Sequence, residues 1–401
     1  MTSNVFLTRV VLRNYKSIAA CDVKLSPLTY LVGANGSGKS NFIDALHFVR
    51  DALNGSLDNA INERGGLSEV RRRSSGHPTH FGIRLEFDLP TGEHGFYAFA
   101  VGALPSSGYE VQREECSIGG TGKGPYFLLE HGKLIKSSEA SFPTVTADRL
   151  ALVSASGLAV FRPVYDVLIA MGFYNLNPKV IRELQKPQDG RLLKPSGENI
   201  ASVIGHLART NPGALKIIEE YLHAVVPMVH GVERQVVGPM ESLSFQQDMA
   251  GAKYPWKFLA QNMSDGTLRA LGVLTALFQG NSDHSPSLIG IEEPETALHP
   301  AASAALREAL IRAAERTQVL VTSHSPDLLD DLAISADSLL VVVSEEGATR
   351  VAPVDGASRQ AIRDHLYSAG ELLRLDQLHV ETLPAEYQAP RQSDLFGSSG
   401  T

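Results

Sequence analysis

Four short segments of this chain bring together residue types that handle phosphate. Gly33-Ala-Asn-Gly-Ser-Gly38-Lys39-Ser40 matches G-x-x-x-x-G-K-[ST]. Its glycines let backbone N–H groups wrap an anion, and a following helix adds the partial positive charge of its N-terminus. Asn35, Gly36, Ser37, Gly38, Lys39, Ser40 and Asn41 are therefore the candidate nucleotide-binding set. Lys39 supplies a point charge for the β- and γ-phosphates, and Ser40 a hydroxyl for Mg²⁺. Farther on, SLIGIEEPETALHP ends an apolar run in two carboxylates. Strand alternation points them differently. Glu292 is placed to reach Mg²⁺ directly or through water, and Glu293 to orient or deprotonate an attacking water. In VLVTSHSP, His324 follows another apolar run, where an imidazole can donate to a γ-phosphate oxygen. QNMSDGTLRALG places Ser264, Asp265, Gly266 and Thr267 ahead of a helical pattern. Alone, it reads as a helix cap with Ser264 or Asp265 as the capping residue.

These groups need strands and helix ends to hold them. Residues 4–32 read as short strands leading into the glycine loop. Residues 41–53 put Phe42, Ile43, Leu46, Val49 and Leu53 on one helical face. The stretch 78–136 reads as an antiparallel meander with glycine-rich breaks, and 146–235 as helical. An α/β pattern then returns: helix 265–279, strand SLIGI, helix 300–315, strand QVLVTS, helix 326–332 and strand SLLVVV. The expected organisation is a lobe over 1–145, a helical insert over 146–240, a second lobe over 241–375 and a disordered tail over 376–401.

With 401 residues, 43% hydrophobic and 20% charged, the chain suits two lobes with a large core. A net charge of −8 means nucleic acid would need a local basic patch. Cys21 and Cys116, the two cysteines, form no metal or disulfide pattern. No long apolar run or signal-peptide core is read, so the expectation is a cytoplasmic protein with no membrane partner.

With these motifs in this order, the chain resembles ABC-class ATPases of the RecF/SMC type over residues 4–345, and more narrowly the stand-alone bacterial OLD-like AAA-family "predicted ATPase" group. MSDGT resembles the signature motif, IEEPE the Walker B motif, ETALHP the D-loop and TSHSP the switch-histidine loop. VVLRNYKSI resembles the family's N-terminal strand and turn, where Lys16 would approach the nucleotide. The resemblance implies an α/β fold: an ABC-type P-loop ATPase head with a mixed sheet, an antiparallel β subdomain and an inserted helical lobe. It implies ATP and Mg²⁺ as ligands. It also implies a homodimer of ATP-sandwiched heads, open to higher assembly, in which Ser264 and Gly266 of one copy bind the γ-phosphate held by the other.

Glu292 stands where most ABC proteins have Asp, Asp265 where many have Gly, and no Q-loop glutamine is identifiable. No coiled coil or hook divides the halves. The segment after SLLVVV is too short for the Toprim domain of OLD-type nucleases, so no nuclease is expected in this chain. The leading expectation is an ATP-hydrolysing dimeric switch controlling a separate effector, a Toprim-type nuclease among the candidates, in antiphage defence. Two alternatives stay open: a RecF-like repair ATPase that binds DNA directly, and an ATP-dependent assembly scaffold with little turnover.

Other signals are weaker. Arg71–Arg73 and the group Lys179, Arg182, Lys186, Arg191, Lys194 read as solvated loops before phosphate-backbone contacts. His77, His80, His94 and His131 fit no metal template. Asp327, Asp330 and Asp331 read as the exposed face of a short helix, and DLFG as part of a disordered end before a partner-docking peptide.

Overall fold

Alternating apolar and polar residues open the chain as a hairpin in this computed structural model, which describes residues 6–74, 78–105, 108–120, 124–280, 285–381 and 395–396. The chain divides into two compact units. One comprises Met1–Met171, Ser335–Leu366 and Asp376–Thr401; the other comprises Gly172–Ile334 and Tyr367–Leu375.

In the first unit, β1 (Leu7–Tyr15) pairs antiparallel with β2 (Ile18–Lys24). Asn14 and Lys16 take left-handed φ values of 49° and 47° beside the tight turn. Next come β3 (Leu28–Val32), α1 (Lys39–Asn54), α2 (Leu57–Asn62) and α3 (Leu67–Val70). The meander follows as β4 (His80–Asp88), β5 (His94–Ala103), β6 (Tyr109–Ile118), β7 (Tyr126–Glu130) and β8 (Lys133–Ser137). Each strand pairs antiparallel with the next, as the spacing of the glycine breaks predicts. Short helices α4 (Ala151–Ala155) and α5 (Arg162–Ile169) end this part.

α1 buries Phe42, Ile43, Leu46, Phe48, Val49 and Leu53. Phe48 packs edge-on to Phe81 at 5.4 Å and to Tyr15 at 6.0 Å, an aromatic cluster at the heart of this core. Glu114 of β6 is buried and caps α4: Ala151 N and Leu152 N donate to its carboxylate at 2.6 and 2.9 Å, and Tyr97 OH at 2.9 Å.

The second unit begins with β9 (Gly172–Tyr174), α6 (Pro178–Arg182), α7 (Ile200–Thr210) and α8 (Pro212–Val225). The helical expectation to residue 235 overran. β10 (Val229–Val237), β11 (Met240–Gln247) and β12 (Trp256–Leu259) form an antiparallel three-stranded sheet. Its two-residue turn at Gly238, with φ 58°, closes the first hairpin. α9 (Asp265–Phe278), β13 (Leu288–Glu292), α10 (Ser303–Ala314) and β14 (Gln318–Ser323) follow. β13 lies between β9 and β14, parallel to both, and its residues before Glu292 are fully buried, as parallel strands require.

The helix expected over 326–332 is not formed. Pro326–Leu329 makes a turn, with Leu329 N donating to Pro326 O at 3.1 Å. Buried Leu328 and Leu329 fix it from inside. The acidic string is therefore no solvated helix face. Asp327 and Asp330 bind Arg374 of α12 (Ala369–Arg374) at 2.6 and 2.8 Å, after α11 (Gly356–Arg363), and Asp331 binds Arg307 at 2.8 Å.

The first unit is completed by β15 (Leu339–Glu345) and β16 (Ala348–Pro353), an antiparallel hairpin. β15 also lies parallel beside β3, giving the order β8-β7-β6-β5-β4-β1-β2-β16-β15-β3 in this unit. β2 and β16 share a single register pair, Ile18 with Thr349, beside a cleft of about 860 Å³. Of the tail, Leu395 and Phe396 are described and buried; 382–394 and 397–401 lie outside the described residues. No helix among the described residues is long and apolar enough to cross a membrane.

Candidate functional site

The glycine loop follows β3 and opens α1. Gly36 and Gly38 have φ values of 78° and 106°, which only glycine adopts without strain. Gly38 is the N-cap of α1 and contributes no side chain, so the first turn of the helix receives no side-chain cap. Such a helix start suits an anion. The Lys39 ammonium is buried against the loop, donating to Gly33 O at 2.8 Å and Ala34 O at 3.0 Å.

A residue the sequence reading missed braces this loop. Thr349, at the start of β16, donates its hydroxyl to Ser37 O at 2.8 Å and lies 2.6 Å from the Ser17 hydroxyl. Asn41 donates its side-chain amide to the same Ser17 at 2.6 Å. A Cβ on Gly38 would stand 2.0 Å from Thr349 Oγ1, and one on Gly33 2.1 Å from Val342 O. The β15–β16 hairpin thus presses on the loop closely enough to require both glycines. No sequence motif marks Thr349, because its role comes from a hairpin some three hundred residues away.

Lys16 lies in the same unit, and its ammonium pairs with Asp44 at 2.6 Å. Arg64 and the Tyr15 hydroxyl also hold Asp44, at 2.9 and 2.6 Å. Burial works to raise the Asp44 pKa, but Arg64, Lys16 and Tyr15 prevail and hold it below the usual carboxylate range.

In the second unit, Ser264 is the N-cap of α9. Its Oγ accepts from Thr267 N at 3.1 Å and lies 2.8 Å from the Thr267 hydroxyl. Asp265 is paired with Arg182, which also donates to Met263 O at 3.0 Å. Arg182 therefore clamps the head of α9, and the basic group containing it is not simply a solvated loop. A Cβ on Gly266 would approach Ala297 O to 2.5 Å, so glycine is what lets the ETALHP turn pack against the start of α9. Ala297 itself has φ 66°.

Glu292 ends β13. Glu293 leaves the strand with φ 44°, a conformation disfavoured for glutamate, so the two side chains diverge by backbone rotation as well as by strand alternation. Three groups hold this kink. Glu293 N donates to Thr322 O at 3.0 Å and Thr322 Oγ1 at 3.1 Å. Arg269, one turn into α9, donates to the carbonyls of Glu292 and Glu293 at 3.0 Å each, and to Leu176 O at 2.6 Å. Burial pulls the Arg269 pKa down, opposed by Glu295, Glu293 and Glu292.

His324 Nδ1 stands 3.3 Å from Glu293 Oε1 and 4.0 Å from Glu295 Oε1. Glu295, also missed in the sequence, is buried and accepts from the Ser323 hydroxyl at 2.6 Å and His324 N at 3.3 Å. It fixes the histidine loop to the carboxylate turn. The third glutamate of EEPE was its only sequence signal. Within this unit, Ser264, Gly266, Glu293 and His324 are thus linked through Arg269, Ala297 and Glu295.

Of the histidines in the β region, His94 pairs with Asp88 and His131 with Glu110. Among the described residues no three His, Cys, Asp or Glu side chains gather as a metal cage, and His77 lies outside the described residues.

Residues 28–100 and 250–330 match the family described as "AAA domain, putative AbiEii toxin, Type IV TA system". The DNA replication and repair protein RecF of Porphyromonas gingivalis is 40% identical over 89 residues, covering 20% of this chain and 23% of that protein. RecF of Vibrio vulnificus is 39% identical over 44 residues, covering 11% and 12%. The chain thus spans about a quarter or less of the curated relatives it matches. An SMC head bound to the C-terminal winged-helix domain of ScpA aligns with a TM-score of 0.56 at 15% identity, covering 88% of this chain and 99% of that one. An SMC head from Pyrococcus furiosus, bound to the C-terminal domain of ScpA, aligns at 0.52 and 13% identity, covering 90% and 99%. The α/β fold is that of an SMC head.

Proposed function

Because the fold is that of an SMC head and the motifs resemble those of RecF/SMC-type ABC-class ATPases, we propose that the chain binds ATP and hydrolyses it as a homodimeric switch. The observation that carries this reading is Glu293, kinked out of β13, held by Arg269 and Thr322, and 3.3 Å from His324. A disfavoured backbone held by that many groups marks a residue selected for direction rather than stability.

In this reading the loop N–H groups from Asn35 to Ser40 and the start of α1 hold the phosphates. Lys39 exchanges carbonyl partners for the β- and γ-phosphates. Ser40 and Glu292 would hold Mg²⁺, which neutralises charge building on the phosphate oxygens. Glu293 accepts a proton from water as the water oxygen attacks the γ-phosphorus. The bond to the β–γ bridging oxygen breaks, and ADP takes that electron pair. His324 donates to a γ-phosphate oxygen. Ser264 and the backbone at Gly266 of a second copy complete the charge stabilisation in trans.

The output we assign is control of a separate effector, nuclease-like, in antiphage defence. The matched family's description as a putative AbiEii toxin of a type IV toxin–antitoxin system is what supports this reading. The RecF relatives favour a second reading in which DNA is bound directly. ATP turnover stimulated by gapped or duplex DNA, with salt-sensitive binding, would select it.

The test combines turnover with light scattering. With ATP and Mg²⁺, Glu293→Gln should be trapped as a dimer and turn over about a hundredfold more slowly. Ser264→Arg should stay folded and bind ATP, yet neither dimerise nor hydrolyse. Undiminished turnover in Ser264→Arg refutes the composite site. If parent and Glu293→Gln behave alike, the hydrolytic switch fails and the scaffold reading stands.

A further inference from the structure

The sheet of the first unit has a second face, opposite α1. Cross-strand register puts Val11, Arg84, Ala98 and Glu115 in one row across it, with Gly82, Ala100 and Arg113 in the next on that face. Val11, Gly82, Ala98 and Ala100 are the small or apolar members of these rows; Arg13, Arg84, Arg113 and Glu115 share the rows with them, and Arg9 and Glu86 stand in the row beyond, several of these charges paired with each other. An open sheet face is normally polar throughout. Here it is a shallow apolar trough with charged walls.

Leu395 and Phe396 fill that trough. They pack with Val11, Phe96, Ala98 and Ala100, all buried, and are themselves 1% and 6% exposed. The fit is specific. A Cβ on Gly82 would lie 2.5 Å from Leu395 Cδ1, so glycine creates the leucine's space. Arg84 donates to Leu395 O at 3.1 Å, recognising the peptide backbone, and stacks on Phe96 at 3.7 Å. The Arg113 guanidinium stands 4.6 Å over the Phe396 ring. A pocket for a leucine, a cation over an aromatic ring and a donor to the main chain are the parts of a short-peptide receptor.

We propose that this face is a docking site for a Leu-Phe motif, and that the chain closes it with its own residues 395–396. The described chain before the motif ends at Glu381, held to β16 through Glu381 N to Pro353 O at 2.9 Å and Arg350 to Glu381 O at 2.6 Å. In strand order β2 and β1 lie between β16 and β4. The thirteen intervening residues 382–394 reach at most about 45 Å when extended, ample for that crossing. The chain is thus anchored at β16 by Glu381 and at β4–β5 by Leu395 and Phe396. This inference does not rest on the nucleotide reading.

The test uses the full chain. A fluorescent peptide of residues 388–401 should bind the Leu395→Ser/Phe396→Ser double variant saturably. It should bind the unaltered chain at least tenfold more weakly, because the tethered motif competes at high effective concentration. The same peptide with both serines should bind neither. No saturable binding to the double variant, or equal binding to both chains, overturns the proposal. A second measurement needs no variant: amide exchange at Leu395 and Phe396 in the unaltered chain should be at least tenfold slower than in the free peptide, at every protein concentration. Exchange at the free-peptide rate overturns docking, and protection that grows with concentration overturns the plug in favour of a second copy's tail.

Discussion

Arg269 is the side chain on which the geometry around Glu293 depends most. It donates three hydrogen bonds to carbonyls at 2.6–3.0 Å while buried, so its guanidinium cannot be replaced by another cation without loss. Arg269→Lys keeps the charge but not the fork. We expect kcat to fall at least tenfold with KM for ATP within about twofold, since nothing in the glycine loop is touched. Equal loss in KM, or no loss, would show Arg269 to be structural only. The sequence displayed the groups proposed to touch phosphate, because a glycine loop and adjacent carboxylates are recognisable by type and spacing. It did not display Arg269 or Glu295, which act through other residues, and whose pairing to Glu293 and Ser323 exists only once β13, β14 and α9 are packed.

Among elements, the strands and helices carrying the motifs were legible from period alone, since β3, β13 and β14 are apolar runs ended by polar turns. β10–β12 were not, because α7 and α8 lead into them with residues that suit either state, and the turn at Gly238 is the main break. The 326–332 segment carried a helical pattern that burial of Leu328 and Leu329, with ion pairs to Arg307 and Arg374, outweighed. The β15–β16 hairpin is the element whose role was least visible. It holds the glycine loop through one hydroxyl, so Thr349→Val, which keeps shape and removes that hydroxyl, should weaken ATP binding about tenfold, while Thr349→Ser retains it. Titration with a fluorescent ATP analogue checks this, and equal affinity for Thr349→Val would remove the hairpin from the account.

For the whole molecule, stability has a pH dependence traceable to one buried carboxyl. Burial pushes the Glu114 pKa up to about 7 from 4.5, against the opposing pull of Ala151 N, Leu152 N and the Tyr97 hydroxyl. Because the folded value is the higher one, its contribution is complete below about pH 4.5 and lost as pH rises through 7, roughly 3 kcal/mol in all. Glu114→Gln removes the titration. Urea unfolding between pH 5 and 8 should show the variant gaining on the parent by about that amount as pH rises. A difference independent of pH would assign the carboxyl no such role. A polar tail sequence gave no hint that Leu395 and Phe396 would be buried, since two apolar residues among glycines and serines form no periodic signal. Finally, Arg269 ties α9 directly to the carbonyls at the Glu293 kink. Linkage is reciprocal: whatever binding at Ser264 does to the population of the Glu293 geometry, fixing that geometry must do to binding at Ser264, by the same factor. In the proposed composite site, an anion at Ser264 would therefore be both a ligand and a reporter of how the carboxylate is set.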